Sequence, residues 1–121
     1  RFIQAEKLSK ELGNCAIPFS FDDQQKAFNN INFFINTTPM GMKNYPWKEI
    51  DLSFIPRKAL IYDIVYKPEK TYLIQTAEKN GNNVLGGIGM LIYQAIPSFE
   101  WWFGEKPMID KNLEKIVNDI L

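Results

Sequence analysis

The run Ala59-Leu60-Ile61-Tyr62-Asp63-Ile64-Val65-Tyr66 narrows the fold more than any other stretch of this 121-residue chain, because it is apolar at nearly every position. A strand with one face in water alternates apolar and polar residues, whereas one apolar throughout is expected to be covered by helices on both faces, as in parallel sheets. Helical patterns flank it on the C-terminal side. Lys70 to Asn80 places Leu73, Ile74 and Ala77 on one face and stops at Gly81. Asn83 to Leu85 then reads as a short strand, and Gly86-Gly87-Ile88-Gly89 as a turn into a further helix. That helix is expected to bury Ile88, Leu91, Ile92, Ala95, Phe99 and Trp102, and to kink at Pro97, which cannot donate to the helical ladder. Beyond Gly104 and Pro107, a last helix carries Ile109, Leu113, Ile116, Val117 and Ile120 on one face.

Before the central run, Ala5, Leu8 and Leu12 recur at helical spacing up to the stop Gly13-Asn14. Cys15 to Phe21 reads as a short strand. Asp22-Asp23 opens a brief helix through Phe28, with acid where the helix dipole favours it. Ile31 to Asn36 is a strand, Thr37 to Met42 a loop, and Lys43 to Arg57 mostly loop. Strands separated by crossover helices imply an α/β domain with a parallel sheet and right-handed connections. One domain is all that 121 residues accommodate.

Fourteen basic residues balance fourteen acidic ones, which argues against nucleic acid or an anionic membrane as a partner. No apolar stretch approaches the roughly 20 residues of a membrane-spanning helix, and no signal peptide is recognised, so the cytoplasm is the expected location. The chain has no histidine, which removes the commonest general acid or base and most zinc sites; no metal site is expected. Cys15 has no basic neighbour and is expected to be a buried structural thiol. Asp63 is expected to be tied to backbone near the loops, and Lys67 to be solvated.

In an open parallel sheet, ligands bind outside the carboxyl ends of the strands. Three loops are expected there: Thr37 to Met42, Tyr66 to Pro68 and Gly86 to Gly89. Glycines at 41, 86, 87 and 89 would let backbone approach a flat ring, and Met42 and Met90 offer soft apolar surface. The same glycines also suit plain strand-to-helix turns, and spacing alone leaves both readings open.

Asn36-Thr37-Thr38-Pro39-Met40-Gly41-Met42, Asp63-Ile64-Val65-Tyr66-Lys67-Pro68 and Gly87-Ile88-Gly89-Met90-Leu91-Ile92-Tyr93-Gln94-Ala95 resemble three motifs of shikimate dehydrogenases, in that family's order. Phe99-Glu100-Trp101-Trp102-Phe103-Gly104 with Pro107 is similar to its closing segment. The resemblance implies an incomplete Rossmann-like sheet with flanking and C-terminal helices, residues 1–121 forming part of a dinucleotide-binding domain. It implies NADP as cofactor and interconversion of 3-dehydroshikimate and shikimate on the way to chorismate and the aromatic amino acids. By resemblance, Thr38 and Pro39 line the ribose and nicotinamide side, and Ile64 stands beside the cofactor. Gly87 offers its carbonyl to the nicotinamide amide, with Met90 and Leu91 against the ring. Tyr66 and Gln94 contact shikimate. Arg1 falls at the threonine position of the family's Asn-Arg-Thr stretch, which recognises the 2′-phosphate; the arginine of that stretch, suited to bidentate phosphate binding, has no counterpart here, which weakens the case for NADP over NAD.

The family's lysine and aspartate of proton transfer lie in an N-terminal substrate domain, and nothing here corresponds to them or to the phosphate-binding glycine loop. The chain alone is therefore expected to be inactive. The alternatives are a quinate or quinate/shikimate dehydrogenase, a stand-alone binding domain without catalysis, and a decayed product that does not fold stably. A homodimer of the full-length protein stays open.

Overall fold

The computed structural model describes residues 2–47 and 50–120. Their elements run α1 (Phe2–Leu12), α2 (Gln24–Phe28), β1 (Phe33–Asn36), β2 (Leu60–Asp63), α3 (Tyr72–Asn80), β3 (Asn83–Leu85), α4 (Gly87–Tyr93), α5 (Ile96–Phe103) and α6 (Lys111–Ile120). The strands form a three-stranded sheet in the order β1-β2-β3, parallel throughout, with Asn36 opposite Asp63 and Tyr62 opposite Leu85. The α/β architecture is thus the expected one. β2 and β3 are joined through α3, whereas between β1 and β2 the described residues hold a 3₁₀ turn at Leu52–Phe54 and no α-helix.

α3 begins where Thr71 caps it, accepting from the Ile74 N–H at 3.3 Å, and stops at Gly81, whose φ of 84° is left-handed. Gly81→Ala should cost about 1 kcal/mol through that φ alone; a midpoint unchanged in chemical denaturation would contradict it. Leu73, Ile74 and Ala77 are buried, as expected, and the core gathers Leu73 and Ala77 with Leu52, Ile55, Ala59 and Ile61. Phe28, Ile31, Phe34, Trp47, Ile50 and Val84 close its rim. At the amino ends of the strands, buried Asn82 donates through Nδ2 to the carbonyls of Pro56 (3.0 Å), Arg57 and Ala59 (both 3.1 Å).

The core lies on one face of the sheet only. Ile61, Asp63 and Val65 are buried, while Leu60, Tyr62, Ile64 and Tyr66 are half-buried and Phe33, Ile35 and Leu85 are exposed. The expectation of a strand covered on both faces is corrected: among the described residues no helix covers the second face, where Phe33 stacks on Tyr62 at 6.4 Å.

Three further expectations give way. Cys15 to Phe21 is not a strand but two 3₁₀ turns, Gly13–Cys15 and Phe21–Asp23, joined by irregular backbone. A strand needs a neighbour to take its ladder hydrogen bonds, and the described sheet ends at β1. Cys15 is exposed rather than buried: among the described residues its turn is met chiefly by the preceding helix α1, from which Ser9 donates to the Ala16 carbonyl at 2.7 Å, and this leaves the thiol in solvent. The helix after Gly86 breaks instead of kinking: α4 stops at Tyr93, and Pro97 lies in the first turn of α5, where its missing N–H has no partner to lose. With the break, only Ile92 of the expected apolar stripe is fully buried, and Trp102 is 68% exposed. α6 packs on α4 through Leu113 and Val117, which are half-buried; Ile116 and Ile120 face outward. On α2, Lys26 donates to Asp23 at 2.7 Å, which with a Ser20 hydrogen bond holds the Asp23 carboxyl below its ordinary range. No helix among the described residues is long and apolar enough to cross a membrane.

Candidate functional site

Because all three strands run parallel, their carboxyl ends open on one edge of the sheet, and the loops 37–42, 64–68 and the 86–89 turn leave from that edge together. Two buried side chains organise it. Asn36, 3% exposed at the end of β1, uses its whole amide. Nδ2 donates to the Met40 carbonyl at 3.0 Å and to Asp63 Oδ1 at 2.9 Å; Oδ1 accepts from the Thr38 N–H at 3.0 Å and from the Thr38 hydroxyl at 2.6 Å. Asp63, fully buried at the end of β2, also accepts from the Val65 N–H at 3.1 Å and, through Oδ2, from the Thr71 hydroxyl at 2.5 Å. The expectation that Asp63 ties backbone near the loops holds, and its reach to Asn36 and Thr71 exceeds it. Neither of those two was singled out from the sequence; a polar residue closing an apolar strand was the available signal.

Thr38 and Pro39 are exposed on the first loop, Ile64 and Tyr66 half-buried on the second. Thr38 gives its one hydroxyl proton to Asn36 and accepts from the Met40 N–H at 3.2 Å, so toward a ligand it can only accept. Lys67 is exposed, as expected, and its bond to Pro68 is cis. Gly87, Met90, Leu91 and Gln94 follow one another at helical spacing along α4, Gln94 capping it with its N–H on the Met90 carbonyl at 3.0 Å. Met90 and Gln94 are exposed; Leu91 is half-buried and lines the apolar groove between α4, α5 and α6. Arg1 lies outside the described residues.

The glycines divide. A Cβ on Gly87 would stand 2.2 Å from the Ile64 carbonyl oxygen, so the close approach of α4 to the segment that follows β2 requires this glycine. Gly89, within α4, has nothing within 4 Å of the same construction; Gly41 takes φ 101° with Thr71 at 3.3 Å. A cleft of about 240 Å³ runs beside β1 from Phe19 and Phe21 past Phe34 to Thr37, Thr38 and Met40, so it reaches the first loop but not the other two. Ile64 and Gly87 are in contact; Thr38, Asn36 and Asp63 are hydrogen-bonded in series. Among the described residues no group of acids, cysteines or histidines could hold a metal.

A model of the shikimate 5′-dehydrogenase C-terminal domain matches residues 87–111. The shikimate dehydrogenase (NADP(+)) of Sinorhizobium medicae is 39% identical over 114 residues, 94% of this chain but 40% of that protein. The structure of a shikimate 5-dehydrogenase from Listeria monocytogenes in complex with shikimate and NAD superposes with a TM-score of 0.76 at 26% identity, covering 96% of this chain and 43% of that one. A quinate dehydrogenase from Corynebacterium glutamicum in complex with NAD gives the same score and identity, over 98% and 42%. The chain thus spans about two-fifths of the length of the relatives it matches. Over nearly all of that span, in sequence and in Rossmann-like fold, it is similar to the C-terminal portion of shikimate dehydrogenases.

Proposed function

We propose that this chain is the nicotinamide-binding part of an NADP-dependent shikimate dehydrogenase, working with a substrate domain of the kind the longer relatives have room for. What supports this most is the placing of the three family-like segments at one edge of one parallel sheet, where fold logic puts a ligand. The residues suit the nicotinamide and its ribose: exposed Thr38 and Pro39 on one loop, Ile64 behind, and exposed Met90. Nothing in the described residues suits the adenosine phosphates in the same way.

When bound, the nicotinamide supplies or accepts the hydride at C3 of the substrate. The chain's own part is to hold and orient. Thr38 accepts from a ribose hydroxyl, its proton being held by Asn36. Gly87 presents its carbonyl to the carboxamide, Met90 and Leu91 shield the ring from water, and Tyr66 and Gln94 meet the substrate from this side. Proton transfer belongs to the lysine and aspartate expected in the substrate domain. Quinate is the second reading, because the quinate dehydrogenase matches in fold as closely as the Listeria shikimate enzyme does.

The expected result with the isolated chain is binding without turnover. Nicotinamide mononucleotide should shift the amide resonances of Thr38, Gly87 and Met90, while adenosine monophosphate should not. Shikimate and NADP together should yield no NADPH. A nicotinamide response confined to other residues would overturn the assignment, and steady NADPH formation would overturn the division of labour.

A further inference from the structure

We infer that Asn36 and Asp63 are a positioning pair: Asp63 fixes which way the Asn36 amide faces, and Asn36 thereby sets the Thr37–Met42 loop in its ligand-ready form. An asparagine amide can be turned end for end with little change of shape, and only its neighbours decide which end is the donor. Across the strand ends, Asn36 is the in-register partner of Asp63. At the Asp63 Oδ1 position stands an acceptor, already taking the Val65 N–H, which selects Nδ2 as the end that faces it. Oδ1 of Asn36 is then turned to Thr38, where it takes both the N–H and the hydroxyl proton, and the second Nδ2 proton is left for the Met40 carbonyl. The loop is held at its start and its middle by one side chain.

The pair also joins separate parts of the edge. Through Oδ2, Asp63 holds the Thr71 hydroxyl, and Thr71 packs within 3.3 Å of where a Cβ on Gly41 would be. Through Val65 it holds the start of the segment leading to Tyr66. The loop carrying Thr38 and Pro39, the one carrying Tyr66, and the cap of α3 are therefore set by two buried residues that no ligand needs to touch.

The purpose of this positioning rests on the nicotinamide reading above, and the test separates the two. Asn36→Asp keeps size and removes both donors; Asn82→Ser removes a comparably buried amide at the opposite ends of the strands and serves as control. Affinity of the folded protein for nicotinamide mononucleotide should fall about tenfold in Asn36→Asp and stay within twofold in Asn82→Ser. Amide exchange at Thr38 and Met40 should rise at least tenfold in the first variant and remain as in the parent chain in the second. Should Asn36→Asp fail to fold, Asn36→Ser, which keeps one hydroxyl donor, carries the same comparison. Unchanged affinity or unchanged exchange in a folded Asn36 variant overturns the pair with the nicotinamide reading intact. An equal loss of affinity in Asn82→Ser overturns it also, since any loosening of the fold would then suffice. No binding by the parent chain removes the nicotinamide reading instead, and the exchange data still decide whether Asn36 sets the loop.

Discussion

Gly87→Ala lowers the stability of this chain by about 3 kcal/mol, at the upper end of what overpacking costs, and brings its melting temperature down by roughly 10 °C. The methyl group would be placed 2.2 Å from the Ile64 carbonyl oxygen, 2.6 Å from the Ile64 carbonyl carbon and 2.9 Å from that of Val65. All three are backbone atoms, which cannot rotate aside as the end of a long side chain can. Nor is that backbone free to retreat: the Ile64 N–H is given to the Asn36 carbonyl at 3.2 Å and the Val65 N–H to Asp63 at 3.1 Å. The helix α4 must therefore lift from the backbone at 64–65, carrying Met90, Leu91 and Gln94 away from the strand-end edge. Two residues on, the same substitution has the opposite sign. Gly89 meets nothing within 4 Å and lies inside α4, so Gly89→Ala should raise stability by about 0.5–1 kcal/mol through helix propensity. Denaturant midpoints of the two variants measure both effects, and similar losses in the two would show that the close approach at residue 87 is not what matters.

That contrast shows what was legible before any coordinates. Glycine-rich turns at strand ends are visible in sequence, but which glycine faces backbone and which faces space depends on how closely α4 sits on the backbone at 64–65. The strands and α3 are readable because their signals are local: the apolar run at 59–66, the apolar face of Leu73, Ile74 and Ala77, the stop at Gly81. Coverage of the sheet is not. Apolar residues at 33, 35, 60 and 85 promise burial, and the described residues leave Phe33, Ile35 and Leu85 open. The apolar run records what the sheet can bury, and the described residues cover only one of its faces. The α5 aromatics repeat the lesson, since Trp101 is 84% exposed at the end of a helix that looks like core in sequence. At the site, the residues proposed to face a ligand come from the resemblance, whereas Asn36 and Thr71, which face inward, have no such pointer. Their role lies in pairing across 27 and 8 residues of chain, and no local pattern reports that.

Asp63→Ala should cost this chain about 3–5 kcal/mol, because it orphans three buried donors at once, each worth about 1–3 kcal/mol when left unpaired. The Thr71 hydroxyl, the Asn36 amide and the Val65 N–H all point at the two oxygens, and no part of Asp63 is exposed, so water reaches them only if the strand ends part. Asp63→Asn differs from it in a way that isolates the cause. An asparagine keeps one oxygen for Asn36 and Val65 and turns its NH₂ to Thr71, whose oxygen accepts the Ile74 N–H and has a second lone pair free for it. Its cost should be nearer 1 kcal/mol, about that of an ordinary hydrogen bond. If alanine and asparagine at residue 63 proved equally damaging, negative charge rather than hydrogen-bond acceptance would be the property the strand ends require. If both were mild, the three donors would have to find other acceptors, and amide exchange at Val65 would show it.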